Sequence, residues 1–434
     1  MAEQLIAPPL PMTVTDVRSP FATPDLRRFT MLVIPLALLL FLFKAYRLEQ
    51  PSFFSLSCLV FGGFAVSYWL PLRWKETFLI LLSFAGACVL LGPLVASMLI
   101  GIGLTMFAIA RSGLDFRNKV LVLLGLLAAL AWGRTLENSP VPDEFWPVFG
   151  AIFMFRMIVY MYEVRYAATP ISLKDYLNYF FLLPNYYFLL FPVADFQTFR
   201  KSWFKRDIHT VAQQGVWWIF RGTTHLLLYR VIYQSQASLT PAKLPVAAVV
   251  CLKIVSSYVL YLRVSGQFHI AVGMLLLFGY DLPETNRRYF LASSINDLWR
   301  RINVYWKDFM VKVFYFPAYF KMRRQGDIRA QILATILVFF GTWFLHIYQY
   351  FWLQGKARVS LNDALFWSIL CAFVCWDILA GSSRRGQRPA TGWKAGFSRV
   401  AHVTGTFALT AFLWSMWSAN SLTEWVQFLR TGNI

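Results

Sequence analysis

Apolar runs recur along the chain from residue 30 almost to its end, separated by short polar or basic stretches. A hydrocarbon layer about 30 Å thick takes about 20 apolar residues as a helix. Segments that approach this length lie at 29–48, 53–72, 77–100, 118–133, 146–165, 176–193, 211–233, 244–262, 266–280, 328–353, 360–380 and 398–418, with 101–111 joined to its predecessor or re-entrant. Gly92-Pro93 and Leu183-Pro184-Asn185 would each break a helix, because proline lacks the N–H and clashes with the preceding turn. The pattern predicts an all-α polytopic membrane protein, a bundle of about ten or eleven transmembrane helices with re-entrant pieces and interfacial amphipathic helices. A single transmembrane domain, 29–434, follows a Pro-rich polar tail at 1–28. That tail lacks the apolar core of a cleavable signal peptide, so the first span is expected to stay as an anchor. The stretch 381–396, rich in Gly, Ser and Arg, reads as the clearest loop.

Composition agrees with the pattern. Hydrophobic residues make up 58% of the 434 and charged ones 14%, against about 25% charged in soluble domains. The net charge of +20 could signal a nucleic-acid partner. Its clusters, however, sit between apolar runs: Arg200, Lys201, Lys205 and Arg206; Lys321, Arg323, Arg324 and Arg329; Arg384, Arg385, Arg388 and Lys394. Basic residues in that position orient spans and meet anionic headgroups, so membrane lipids and not nucleic acids are the expected partners. Arg27 and Arg28 ahead of the first span favour a cytoplasmic N-terminus. The five cysteines lie in apolar stretches without paired metal spacing and read as small buried hydrophobes.

The segment 284–326 breaks the alternation. It mixes charges such as Arg287, Arg300, Arg301 and Lys307 with rings such as Trp299, Tyr305 and Trp306. It is too charged to face lipid and too aromatic for a solvated loop, so interfacial helices or the wall of a polar cavity are expected. The next apolar run, 328–353, carries His346 well inside it. A polar ring in hydrocarbon costs free energy unless it is paired or faces a wet cavity. Thr342, Trp343, Gln349 and Tyr350 share its stripe at helical spacing.

The run from 265 to 308 resembles the core of the membrane-bound O-acyltransferases, notably the bacterial members that acylate alginate and teichoic acid. Gly266, Gly273, Gly279, Asn286 and the run Trp299-Arg300-Arg301-Ile302-Asn303, followed by Trp306 and Asp308, fall in step with that family's pattern. The family's histidine on the next membrane helix corresponds to His346 in Gly341-Thr342-Trp343-Phe344-Leu345-His346. Departures are clear. Asn303 stands where those bacterial relatives carry His, His269 where an Asp is common, and no Gly follows His346. Phe191-Pro192-Val193-Ala194-Asp195 is similar to the family's Phe-Pro entry, without its later Gly-Pro.

The resemblance implies a catalytic core at about 265–355 and a transfer from a cytoplasmic thioester donor, acyl-CoA or an acyl-carrier protein, to a hydroxyl. The acceptor would be an exported glycan, a cell-wall polymer or a lipid, and the acyl group acetyl or another short chain. It further implies the bacterial cytoplasmic (inner) membrane, an accessory periplasmic or extracellular transferase as partner, and no bound cofactor. Removing a hydroxyl proton suits an imidazole near neutrality, and a carboxamide can donate to the oxygen on which charge builds. His346 is thus expected as general base and Asn303 as polarising amide. Trp299, Arg300, Arg301, Trp306, Lys307, Trp343 and Gln349 are the expected substrate contacts, with the arginines gripping an anionic donor or else meeting headgroups. His225, close to Arg221, could line the same cavity; His209 reads as solvated and His402 as packed. No metal-ligand spacing and no phosphate-binding Gly loop with its Lys is present. A transporter or flippase for an anionic or lipid-linked substrate is the alternative; such proteins commonly show paired repeats, and none is visible here.

Overall fold

The computed structural model describes residues 24–165, 171–189, 195–236, 238–240, 242–383 and 393–433. The first 23 residues of the tail, the stretch Phe191-Pro192-Val193-Ala194 and most of the expected 381–396 loop lie outside the described residues. What is described is helical. Five long helices open the chain: α1 (Leu26–Tyr46), α2 (Pro51–Trp69), α3 (Leu72–Leu91), α4 (Pro93–Arg111) and α5 (Phe116–Thr135). The short α6 (Phe145–Val148) runs through a π-helical turn, Phe149–Phe153, into α7 (Met154–Val164). Then come α8 (Leu173–Phe180), α9 (Phe196–Ser202), α10 (Ile208–Gln236), α11 (Val246–Val259) and α12 (Leu262–Leu277). The charged segment holds α13 (Ile295–Arg301), α14 (Val304–Met310), a second π-helical turn at Val311–Tyr315 and α15 (Phe316–Met322). The chain closes with α16 (Asp327–Gln354), α17 (Leu361–Ser383), α18 (Trp393–Ser418) and α19 (Leu422–Thr431).

The protein is an all-α polytopic membrane protein. Among the described residues eight stretches are long and apolar enough to cross a membrane: α1 to α5, Val246–Leu277, α16 and Leu361–Ala380. The expected ten or eleven spans differ from this in several places, and the segment 146–165, split among α6, the π-helical turn and α7, is not among the eight. Gly92-Pro93 does break the run at 77–111, but the second piece is α4, a full-length helix and not a re-entrant stub. The segments 244–262 and 266–280 form one stretch with a slight break near Leu260. The run at 176–193 is no span: α8 stops at Phe180 and Leu183-Pro184-Asn185 forms a 3₁₀ turn buried in the core. Helices α10 and α18 have 29 and 26 residues and are long enough to cross, but polar side chains such as Arg221 and His225 or Thr404 and Thr406 interrupt them.

Helix α10 packs antiparallel on α12 through facing glycines. A Cβ on Gly222 would meet the Gly266 carbonyl oxygen at 2.5 Å, and one on Gly215 the Gly273 oxygen at 2.8 Å. Only glycine lets two backbones come this near, the device by which membrane helices gain packing where water supplies no hydrophobic drive. Helix α16 shows how lipid is met. Ile336, Phe340 and Phe344, four apart, are exposed on one side, while Ala334, Val338, Gly341, Thr342 and Leu345 are buried on the other.

Contacts sort the helix ends onto two faces. The start of α1 meets the end of α2 through Tyr68, whose hydroxyl donates to the Asp25 carbonyl at 3.2 Å. The end of α10 meets the end of α1, where Arg230 binds the Tyr46 carbonyl. Arg111 at the end of α4 donates to the Ile171 carbonyl at 2.9 Å, and Arg134 at the end of α5 lies beside Gly355 after α16. Following the antiparallel hairpins, the Lys201/Lys205/Arg206 and Lys321/Arg323/Arg324 clusters share the face of Arg27 and Arg28. The end of α16 and the start of α17 lie on the opposite face.

A carboxylate braces that opposite face. The Glu49 side chain, 3% exposed, accepts from Arg263 at 2.9 Å, from Gln267 at 3.1 Å and from the Tyr187 hydroxyl at 2.9 Å. Removing the shared acceptor leaves three donors unmatched. Glu49→Ala is expected to lower stability by about 1–3 kcal/mol, read as a reduced melting temperature in detergent; an unchanged melting temperature would mean the brace is idle.

Candidate functional site

His346 lies eight residues before the end of α16, about 12 Å below that end at 1.5 Å per residue. Its Nδ1 is 2.8 Å from the Thr342 carbonyl oxygen. A carbonyl only accepts, so Nδ1 is the donor in this contact, and in the neutral ring Nε2 then carries the lone pair that a general base needs. Two indoles flank the ring: Trp306 of α14 at 5.4 Å and Trp367 of α17 at 4.9 Å between centroids.

This imidazole borders a chamber of about 580 Å³ lined by α12, α13, α14, α16, α17 and α18. Asn303, Trp299, Trp306 and Lys307 line it from the charged segment, and Trp343 and Gln349 line it from α16. Seven of the nine expected site residues, His346 included, therefore come together. The two arginines do not. Arg300 is exposed away from the chamber, and Arg301 donates to Asp297 at 2.7 Å one turn back. Burial would lift the Asp297 carboxyl, but hydrogen bonds from Arg301 and Ser293 outweigh it and hold the group below the usual carboxylate range. Arg301 is thus paired within α13, with an acid at i,i+4 spacing. Lys307 is itself in close contact with its neighbour Asp308.

Asn303 has a structural duty that sequence reading did not give it. It sits at the N-cap of α14 in the left-handed region, φ 43°, which asparagine tolerates better than most side chains. Its Oδ1 accepts from the Trp306 N–H at 3.3 Å, capping the helix. Among the described residues that leaves the Nδ2 donor half uncommitted. Asn303 is thereby tied to the helical turn whose indole flanks His346.

Sequence reading missed the far wall. Trp367, Trp414 and Trp417 come from α17 and α18, Arg358 from the loop before α17, and Asp363 from its first turn. Asp363 accepts from the Trp417 indole at 2.6 Å and from Ser360 at 2.5 Å. The signal was available as an acid and three indoles at helical spacing, Asp363 with Trp367 and Trp414 with Trp417. The chamber reaches Arg358, Ser360, Asp363 and Ser418, all on the face opposite the basic clusters.

The remaining histidines stand apart. His225 does not line the chamber; its ring is 5.3 Å from that of His269, which is fully buried. The His269 Nε2 lies 3.6 Å from Glu284, whose carboxylate is already held by Arg221 at 2.6 Å. His402 is exposed and not packed, with Nδ1 on the Ser398 carbonyl. The cysteines are unbridged; Cys58, Cys88 and Cys251 are exposed where burial was expected, on helices whose outer faces meet lipid. Among the described residues no group of three or more His, Cys, Asp or Glu is placed to hold a metal ion.

Set beside the profiles of known protein families the chain matches none, and no curated protein matches it.

Proposed function

We propose that the chain is an O-acyltransferase of the membrane-bound type, which moves a short acyl group from a cytoplasmic thioester to a hydroxyl presented in the chamber. The observation that carries this reading is the His346 imidazole, its Nδ1 2.8 Å from the Thr342 carbonyl oxygen, at the wall of a chamber that Asn303 also lines. As the acceptor hydroxyl attacks the thioester carbonyl, Nε2 takes its proton. The Asn303 Nδ2 group donates to the oxygen that gains charge. When the C–S bond breaks, the imidazolium returns the proton to the leaving thiolate, so no net proton is released. The donor is acyl-CoA or an acyl-carrier protein; the acceptor is a glycan, cell-wall polymer or lipid.

The basic clusters favour a cytoplasmic position for the face that holds Arg27 and Arg28. On that orientation the Arg358–Asp363 end of the chamber points away from the cytoplasm, the side on which an exported acceptor resides. A bacterial inner membrane suits this arrangement. Mass spectrometry of surface glycans and lipids from cells with and without the gene tests the reading. An acyl ester that disappears with the protein is expected; identical acylation of every fraction would overturn it.

A further inference from the structure

Five hydrogen bonds converge on the turn between α13 and α14. The Asn303 N–H donates to Asn286 Oδ1 at 2.8 Å, and the Val304 N–H donates to the Thr285 carbonyl at 2.8 Å. In the other direction the Arg287 N–H donates to the Arg301 carbonyl at 2.8 Å, and the Tyr305 hydroxyl to the Pro283 carbonyl at 2.7 Å. The fifth is the Asn303 cap on Trp306. The loop after α12 thus grips the turn from both sides of Asn303.

Most of these bonds use main-chain acceptors that any sequence supplies. Asn286 is different. It is fully buried, and its side-chain oxygen is the acceptor for the Asn303 N–H. That N–H lies at a helix start, where the α14 ladder offers it no partner, so the Asn286 oxygen is what satisfies it in its part-buried position. The same oxygen takes the Tyr261 hydroxyl at 3.4 Å, and Nδ2 donates to Thr285 Oγ1 at 3.4 Å. Asn286 does not line the chamber, yet both residues at the end of this chain of bonds do: Asn303 and Trp306.

We infer that Asn286 is a positioning residue that holds Asn303 in its left-handed conformation and so sets the Asn303 amide and the Trp306 indole against His346. Its effect on chemistry rests on the acyltransferase reading; its effect on the turn does not. Without the Asn286 acceptor, Asn303 relaxes towards the commoner backbone regions and carries the first turn of α14 with it. A displacement near 1 Å at a reacting group lowers rate by up to about 100-fold.

The experiment uses the full chain with Asn286→Ala, Asn286→Asp, which keeps the oxygen acceptor, and Thr285→Ser, which keeps both the main-chain carbonyl and the hydroxyl that faces Asn286. Hydrogen–deuterium exchange in detergent is followed in the peptide covering 300–310, beside transfer of labelled acetyl from acetyl-CoA in membranes. Asn286→Ala should speed exchange in that peptide and lower kcat roughly 10- to 100-fold with KM for acetyl-CoA little changed. Asn286→Asp should recover much of both, and Thr285→Ser should match the parent. Unchanged exchange in Asn286→Ala overturns the inference. So does a parental rate in Asn286→Ala when His346→Ala is inactive, a result that leaves the acyltransferase reading standing. Exchange that responds in a protein whose parent transfers nothing supports the grip on the turn and overturns only the acyltransferase reading. Where Asn286→Ala does not fold, Asn286→Ser is used, with the same directions expected and unchanged exchange again overturning the inference.

Discussion

Alanine at position 346 is expected to lower acyl transfer by about 10²- to 10⁴-fold, the usual contribution of a positioned general base. The protein should still insert and purify as the parent does. His346 is half-buried at the chamber wall, and its Nδ1 bond runs back to its own helix at Thr342, so no distant element depends on the ring for a hydrogen bond. On the acyltransferase reading the loss should fall on kcat, because other lining groups would hold the thioester and the acceptor. Gln at the same site restores volume without a base and should remain inactive. Transfer of labelled acetyl from acetyl-CoA in membranes, normalised to folded protein by fluorescence-detected gel filtration, reads the result. Activity within a few-fold of the parent would remove His346 from the chemistry and move the chamber towards a transport role.

The second large effect concerns folding. Gly222→Leu is expected to cost on the order of 3 kcal/mol or more, at or beyond the upper end of ordinary overpacking. The reason is the identity of the colliding atom. A Cβ at 222 meets the Gly266 carbonyl oxygen at 2.5 Å and the Ile270 backbone N at 3.0 Å, and backbone cannot swing aside as a side-chain tip can. Even Ala at this position should separate α10 from α12. Leu at Gly101, where nothing lies within 4 Å, is the matched control and should be tolerated. Melting temperature in detergent distinguishes the two; equal melting temperatures would mean that α10 and α12 do not pack at backbone distance.

Much of the candidate chamber was legible because its lining comes from stretches that are local in sequence. His346 and its stripe of Trp343 and Gln349 follow from helical spacing alone, and all three border the chamber. Asn303, Trp299, Trp306 and Lys307 stood out by mixing charge with rings between apolar runs. Arg300 and Arg301 were misplaced because net charge says nothing of direction. On α13 one arginine faces outward and the other finds Asp297 four residues earlier. His225 was placed near the wrong cavity for a similar reason: Arg221 and Glu284, 63 positions apart, close over it and His269.

Hydropathy along the chain was enough to determine that the protein is helical and membrane-embedded, since uninterrupted apolar runs leave the backbone no partner but itself. The same reading placed the breaks at Gly92-Pro93 and Leu183-Pro184-Asn185, which are properties of proline and need no neighbours. Only the tertiary structure decided which polar groups meet. The far wall of Trp367, Trp414 and Asp363, the grip of Asn286 on Asn303, and the glycine contact of α10 with α12 each join segments between 17 and roughly 110 residues apart. Pairings of that kind depend on helix order and rotation, and these are fixed by shape fit between faces that look equally apolar in sequence.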